Sequence, residues 1–147
     1  VERILISDID CSNLKCVVVC EDSHGNIYNF PVSYDDAKLI SLLMADAYVP
    51  QNSMLDFLID IFNHTKIKID YCIIHDGYKN STFVGINDGT GEIKEMRIPI
   101  SYAFIFSLAL DVPVFVKAQA HFVDFGELCW REFIKDVLYK EIELDNT

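Results

Sequence analysis

The sequence predicts one α+β domain over residues 1–147: a largely antiparallel, twisted sheet with helices packed on it. Three observations carry this. Short apolar stretches separated by turn residues recur in hairpin fashion, the pattern of antiparallel strands rather than of alternating strand–helix units. Serine followed three residues later by aspartate, at Ser33/Asp36 and again at Ser53/Asp56, opens two stretches with apolar stripes at helical spacing. Between Arg97 and Val116 lies a long, almost uniformly apolar run bracketed by Pro99 and Pro113, which reads as a helix sunk into the core followed by a sharp stop.

Taken in order, residues 3–9 form a first strand. Residues 15–20 form a second, apolar on both sides, as in a strand covered on both faces. The polar run 21–26 (EDSHGN) turns the chain into a third strand at 27–32. A helix follows over 33–47, with Ala37, Ile40, Met44 and Ala47 on one face. The run YVPQN (48–52) breaks it, and a second amphipathic helix covers 53–64 with Phe57, Leu58, Ile61 and Phe62 in its stripe. Residues 67–75 alternate as a strand, DGYKNS turns, and 82–86 pairs back. NDGTG at 87–91 is the strongest turn signal, leading into a strand over 92–98. These last three strands form a meander that feeds the buried helix at 98–110, where proline suits the first turn and Ser101 reads as a cap for the exposed N–H groups. Val112 precedes a proline and is extended, so 114–116 is a short buried strand. Asp124 with Glu127 opens an amphipathic C-terminal helix over about 125–143, whose stripe of Trp130, Phe133, Ile134, Val137, Leu138 and Ile142 is buried on its own domain or on a partner chain. No linker, repeat or low-complexity stretch divides the chain.

Composition narrows the function classes. The net charge of −11 opposes the polyanion contacts on which nucleic-acid affinity depends. No apolar run reaches the ~18 residues a membrane helix needs. The opening VERILISDID mixes charge among apolar residues, unlike a secretory leader, and so predicts a cytoplasmic location. The five cysteines, at 11, 16, 20, 72 and 129, are odd in number and lack CxxC spacing. They read as reduced, packed thiols rather than a zinc site or a disulfide framework. His24, His64, His75 and His121 are scattered, so any metal site must be assembled from carboxylates.

Four residues are the candidates for chemistry. His75 ends a strand beside Asp76, where it would serve as a general base or simply hydrogen-bond the turn. Ser101 is either a nucleophile or a helix cap, and no Gly-x-Ser-x-Gly elbow surrounds it. Asp36 and Asp56 each occupy the acidic position of a capping box, which local physics explains at about 1 kcal/mol apiece. Cys16 and Cys20 read as buried, inert strand thiols.

The order of motifs resembles the bifunctional nuclease domain family over about residues 29–116. FPVSYDDA sets Phe30, Pro31, Val32, Asp36 and Ala37 at the positions of the family's Leu-Pro-Ile strand end and Glu-Ala pair. IIHDGYKNSTFVG, with Ile74, His75, Thr82 and Phe83, matches its apolar strand, turn and Thr-Phe strand. Ser101 and Ala103 match the serine and alanine of its Arg-Pro-Ser-Asp-Ala helix start, and Asp56 matches the aspartate of its Thr-His-Asp motif. The resemblance implies a compact α+β fold, cleavage of DNA and RNA, and Asp36 and Asp56 as ligands of magnesium or manganese. This chain departs at Met54 and Leu55, where the family has threonine and histidine, and at Pro99, Ile100 and Tyr102, where it has arginine, proline and aspartate. Phosphodiester hydrolysis needs a positioned base or metal-held water and a cation for the developing charge. The sequence therefore predicts a divergent, non-catalytic member acting as a homo-oligomer or through a protein partner, with a divalent-metal-dependent nuclease as the alternative.

Overall fold

The computed structural model describes residues 1–12, 15–47, 53–76 and 81–118. Its elements run β1 (Glu2–Ser12), β2 (Lys15–Asp22), β3 (Ile27–Val32), α1 (Tyr34–Met44), α2 (Ser53–His64), β4 (Lys68–Asp76), β5 (Ser81–Asn87), β6 (Ile93–Ile98), α3 (Ile100–Leu110) and β7 (Val114–Ala118). The expected C-terminal helix at 125–143 lies outside the described residues, as do Cys129 and His121.

The strands make one seven-stranded sheet in the order β3-β2-β1-β7-β4-β5-β6. Hairpins join β1 to β2, β2 to β3, β4 to β5 and β5 to β6, all antiparallel. The sheet is nevertheless mixed: β7 slots between β1 and β4, antiparallel to the first and parallel to the second. A parallel pair needs a long crossover. Here β5, β6 and α3 supply it, so the final short strand closes the centre of the sheet.

A meander followed by a helix occurs twice, as β1-β2-β3-α1 and β4-β5-β6-α3. The two junctions also share sequence: Pro31-Val32-Ser33-Tyr34 and Pro99-Ile100-Ser101-Tyr102. The chain thus carries a repeat at the level of its elements where none was expected from the sequence.

Local chemistry accounts for the helix ends. Ser33 is extended at φ −68°, ψ 159°, and its hydroxyl accepts from the Asp36 backbone N–H at 3.2 Å, the expected cap of α1. In α3 the N-cap position is Pro99, with no side-chain cap bond, and the helix closes at Asp111 in the left-handed region (φ 56°, ψ 40°). Ser101 is therefore inside the helix and is not its cap, contrary to the sequence expectation.

All-round burial of α3 explains its unbroken apolar sequence. Ala103, Phe104, Ile105 and Phe106 are consecutive and each at most 5% exposed, which a helix with one wet face would not permit. It touches α1, β3, β4, β5 and β7. Because β3 and β5 stand far apart in the strand order, the sheet curls around this helix. Phe30 of β3 packs tilted against Phe104 at 5.8 Å, and Phe62 of α2 meets Phe106 edge-on at 6.5 Å. The other sheet residues in this core are Ile4, Val18, Cys20, Cys72, Ile74, Val84, Val114 and Val116, all on one face.

Period-two alternation puts Val17, Val19, Tyr71, Ile73, His75, Phe83 and Phe115 on the other face, where they are half-buried. There the Tyr71 ring lies directly over Gly85, the space a Cβ at that position would occupy. Its hydroxyl donates to Glu95 at 2.7 Å, and this bond pushes the phenol up to about 12.

The cysteines divide. Cys20 and Cys72 are fully buried and free, and burial pushes both thiols up to about 12, which keeps them unreactive as expected. Cys11 and Cys16 are a disulfide, which corrects the expectation of reduced thiols there. The β1–β2 register sets the two residues directly opposite each other across the hairpin.

Candidate functional site

Asp36 and Ser101 are the two candidates that the fold brings together. The Ser101 hydroxyl donates to Asp36 Oδ2 at 2.7 Å across a separation of 65 residues. Capping of α1 by Ser33 places Asp36 in the first turn, where the helix dipole favours a carboxylate. The buried start of α3 places Ser101 opposite, only 4% exposed. Ser101 is the second residue of α3, past the cap position held by Pro99, so its hydroxyl reaches across to the α1 carboxylate. A nucleophilic serine needs a base able to take its proton and room for a substrate. A carboxylate is a poor match for that proton, and the hydroxyl is shut away from solvent. The pair ties the two repeat units together.

His75 does not join them. It follows Ile74, a core residue of β4, so its ring projects from the opposite face of the sheet, edge-on to Phe83 at 5.4 Å. The sheet itself stands between this imidazole and Ser101. Asp56 is exposed in the first turn of α2.

The two aspartates expected to hold a metal find no third ligand among the described residues. A hard cation such as magnesium takes near-octahedral oxygen ligands. Among the described residues, the one group of three or more metal-capable side chains is Glu2, Asp22 and His24, and it contains neither Asp36 nor Asp56. Asp36 moreover spends Oδ2 on Ser101. No step through an ion is derived.

Glu2, Asp22 and His24 are better explained as a turn. Asp22 Oδ1 accepts from the backbone N–H groups of His24 (2.9 Å) and Asn26 (3.0 Å). Its Oδ2 accepts from Asn26 Nδ2 (2.9 Å) and the Tyr28 hydroxyl (3.1 Å). Those four bonds fill the acceptor sites of a carboxylate and hold it down at about 2, led by the Asn26 side chain. His24 Nδ1 stands 3.6 Å from Glu2 Oε2 at the surface.

What sequence reasoning missed is an apolar groove of about 400 Å³ on the helix side of the sheet. Leu58 and Phe62 of α2, Tyr102 and Phe106 of α3, and Met96 and Ile98 of the edge strand β6 line it. Met96 is 56% exposed along the open rim. The even-numbered residues of β6 gave a partial signal, since Met96 and Ile98 alternate with Glu95 and Arg97, but the groove exists only where three elements meet. Beside it, β6 pairs with β5 on one side, and among the described residues no strand pairs with its outer edge. No helix among the described residues is long and apolar enough to cross a membrane.

Set beside other proteins, the sequence matches no family model and no curated protein.

Proposed function

We propose that this chain is a divergent domain of the bifunctional nuclease type that has lost catalysis and works by associating with a second copy of itself. The observation that carries the reading is the apolar groove beside a strand edge that no described residue pairs with, with Met96 exposed on its rim. A contiguous apolar surface open at a strand edge is the usual mark of an interaction site. The separation of the candidate chemical groups supports the same reading: Ser101 is buried against Asp36, and His75 is on the far face of the sheet.

Sedimentation velocity of the 147-residue chain, run beside cleavage assays on single-stranded DNA and RNA with magnesium or manganese, tests the proposal. It expects a dimer without cleavage. A monomer that cuts either substrate, with the cutting lost in Asp36→Ala and Asp56→Ala, overturns it and establishes the nuclease alternative.

A further inference from the structure

Edge strand β6 reads Ile93-Lys94-Glu95-Met96-Arg97-Ile98, and its order of charges selects one way for two copies to meet. In an antiparallel pair, residues directly opposite share a face, so each self-pairing about a two-fold axis is centred on a single residue. Centring on Lys94, Glu95 or Arg97 sets like charges against each other, which destabilises a sheet. Centring on Met96 does the reverse. Glu95 of each copy then faces Arg97 of the other, Lys94 faces Ile98, and Met96 meets Met96.

We propose that two copies of this chain join edge to edge through β6, antiparallel and in the register centred on Met96, making one continuous sheet. The proposal rests on the self-association put forward above and names its surface. Both charged side chains are placed for the role. Glu95 and Arg97 are exposed, Glu95 accepts the Tyr71 hydroxyl on Oε1, and among the described residues neither makes an ion pair. On the other face of the strand, the pairing lays Met96 and the Lys94 stem of one copy along Met96 and Ile98 of the other, covering the open rim of both grooves. The opposite sheet edge is the poorer template, because Pro31 in β3 has no N–H to give.

Reciprocal charge exchange tests this, read by sedimentation velocity over a concentration series with circular dichroism as the check on folding. Glu95→Arg and Arg97→Glu each place two symmetry-related like-charge pairs in the interface and are expected to weaken dimerisation roughly tenfold. The double exchange E95R/R97E restores the opposite charges and is expected to recover wild-type affinity. A dimer indifferent to all three variants overturns this surface while leaving self-association standing. A dimer that both singles weaken and the double fails to recover overturns the register. A wild-type chain that is monomeric throughout overturns the inference together with the function it rests on.

Discussion

Removing the Ser101 hydroxyl tests whether the Asp36–Ser101 contact is a structural tie or the remnant of a reaction centre. Ser101→Ala deletes a donor 2.7 Å from a carboxylate. A hydrogen bond to a charged group is worth about 1.5–3 kcal/mol, and because Asp36 is half-buried, water replaces part of it, so the lower end, ~1.5–2 kcal/mol, is expected. For a chain of this length that corresponds to a fall in Tm of roughly 3–8 °C. Asp36→Ala removes the same bond, strands a hydroxyl that is 4% exposed, and also loses a carboxylate from the first turn of α1, about 0.3–1 kcal/mol more. Urea denaturation of both singles and the double closes a mutant cycle, and a coupling energy of at least ~1 kcal/mol is expected. Asp56→Ala, exposed on α2, combines with Ser101→Ala additively. If Asp36→Ala and Ser101→Ala also prove additive, the tie contributes nothing to stability and the structural account of both residues is wrong.

Other positions give further tests. Thr82 is 1% exposed and its hydroxyl has no partner among the described residues, so Thr82→Val, similar in shape and well suited to a strand, should stabilise the fold by about 1–2 kcal/mol in the same denaturation assay. Asp111 ends α3 in the left-handed region and sets a carboxylate at the negative end of the helix, so Asp111→Gly should raise stability by about 1 kcal/mol. Asp22 has a folded-state carboxyl lowered from 3.8 to about 2, so its contribution is fully present above the ordinary value and is lost as pH falls through that window toward 2. Asp22→Asn should flatten the acid limb of the stability-against-pH curve between those values.

Most elements were readable from the sequence because each depends on local pattern. Short apolar or alternating runs bounded by turn residues placed six of the strands, and the Ser33–Asp36 cap fixed the start of α1. What escaped depends on tertiary neighbours. Val114-Phe115-Val116 reads as a strand, yet nothing in three apolar residues says that it inserts between β1 and β4 or runs parallel to one of them. The Cys11–Cys16 bond follows from hairpin register, which a five-residue spacing does not disclose. Ser101 looked like a cap because a serine near a helix start usually is one, but Pro99 holds the cap position and the hydroxyl reaches across to the α1 carboxylate. The position of His75 was half readable: Ile74 and His75 must project to opposite faces, but which face the helices cover was not written in β4 itself.

The element repeat connects these findings to the proposed interface. Both units end their outer strand with the same Pro-x-Ser-Tyr run, but the proline falls differently relative to the strand. In the first unit Pro31 lies within β3, opposite Val17, and takes an N–H out of that edge. In the second, Pro99 comes one residue after β6 has ended, as the N-cap of α3. The shift leaves the last strand of the second unit with an N–H on every residue and an edge with no proline in it. Proline and charge are the common means of keeping an edge strand from pairing. Here the proline has been displaced past the strand, and the remaining charges, Glu95 and Arg97, are opposite in sign and separated by one residue. That arrangement repels in three of the four central self-registers and attracts in the one about Met96, so a device that normally prevents edge pairing instead restricts it to a single geometry.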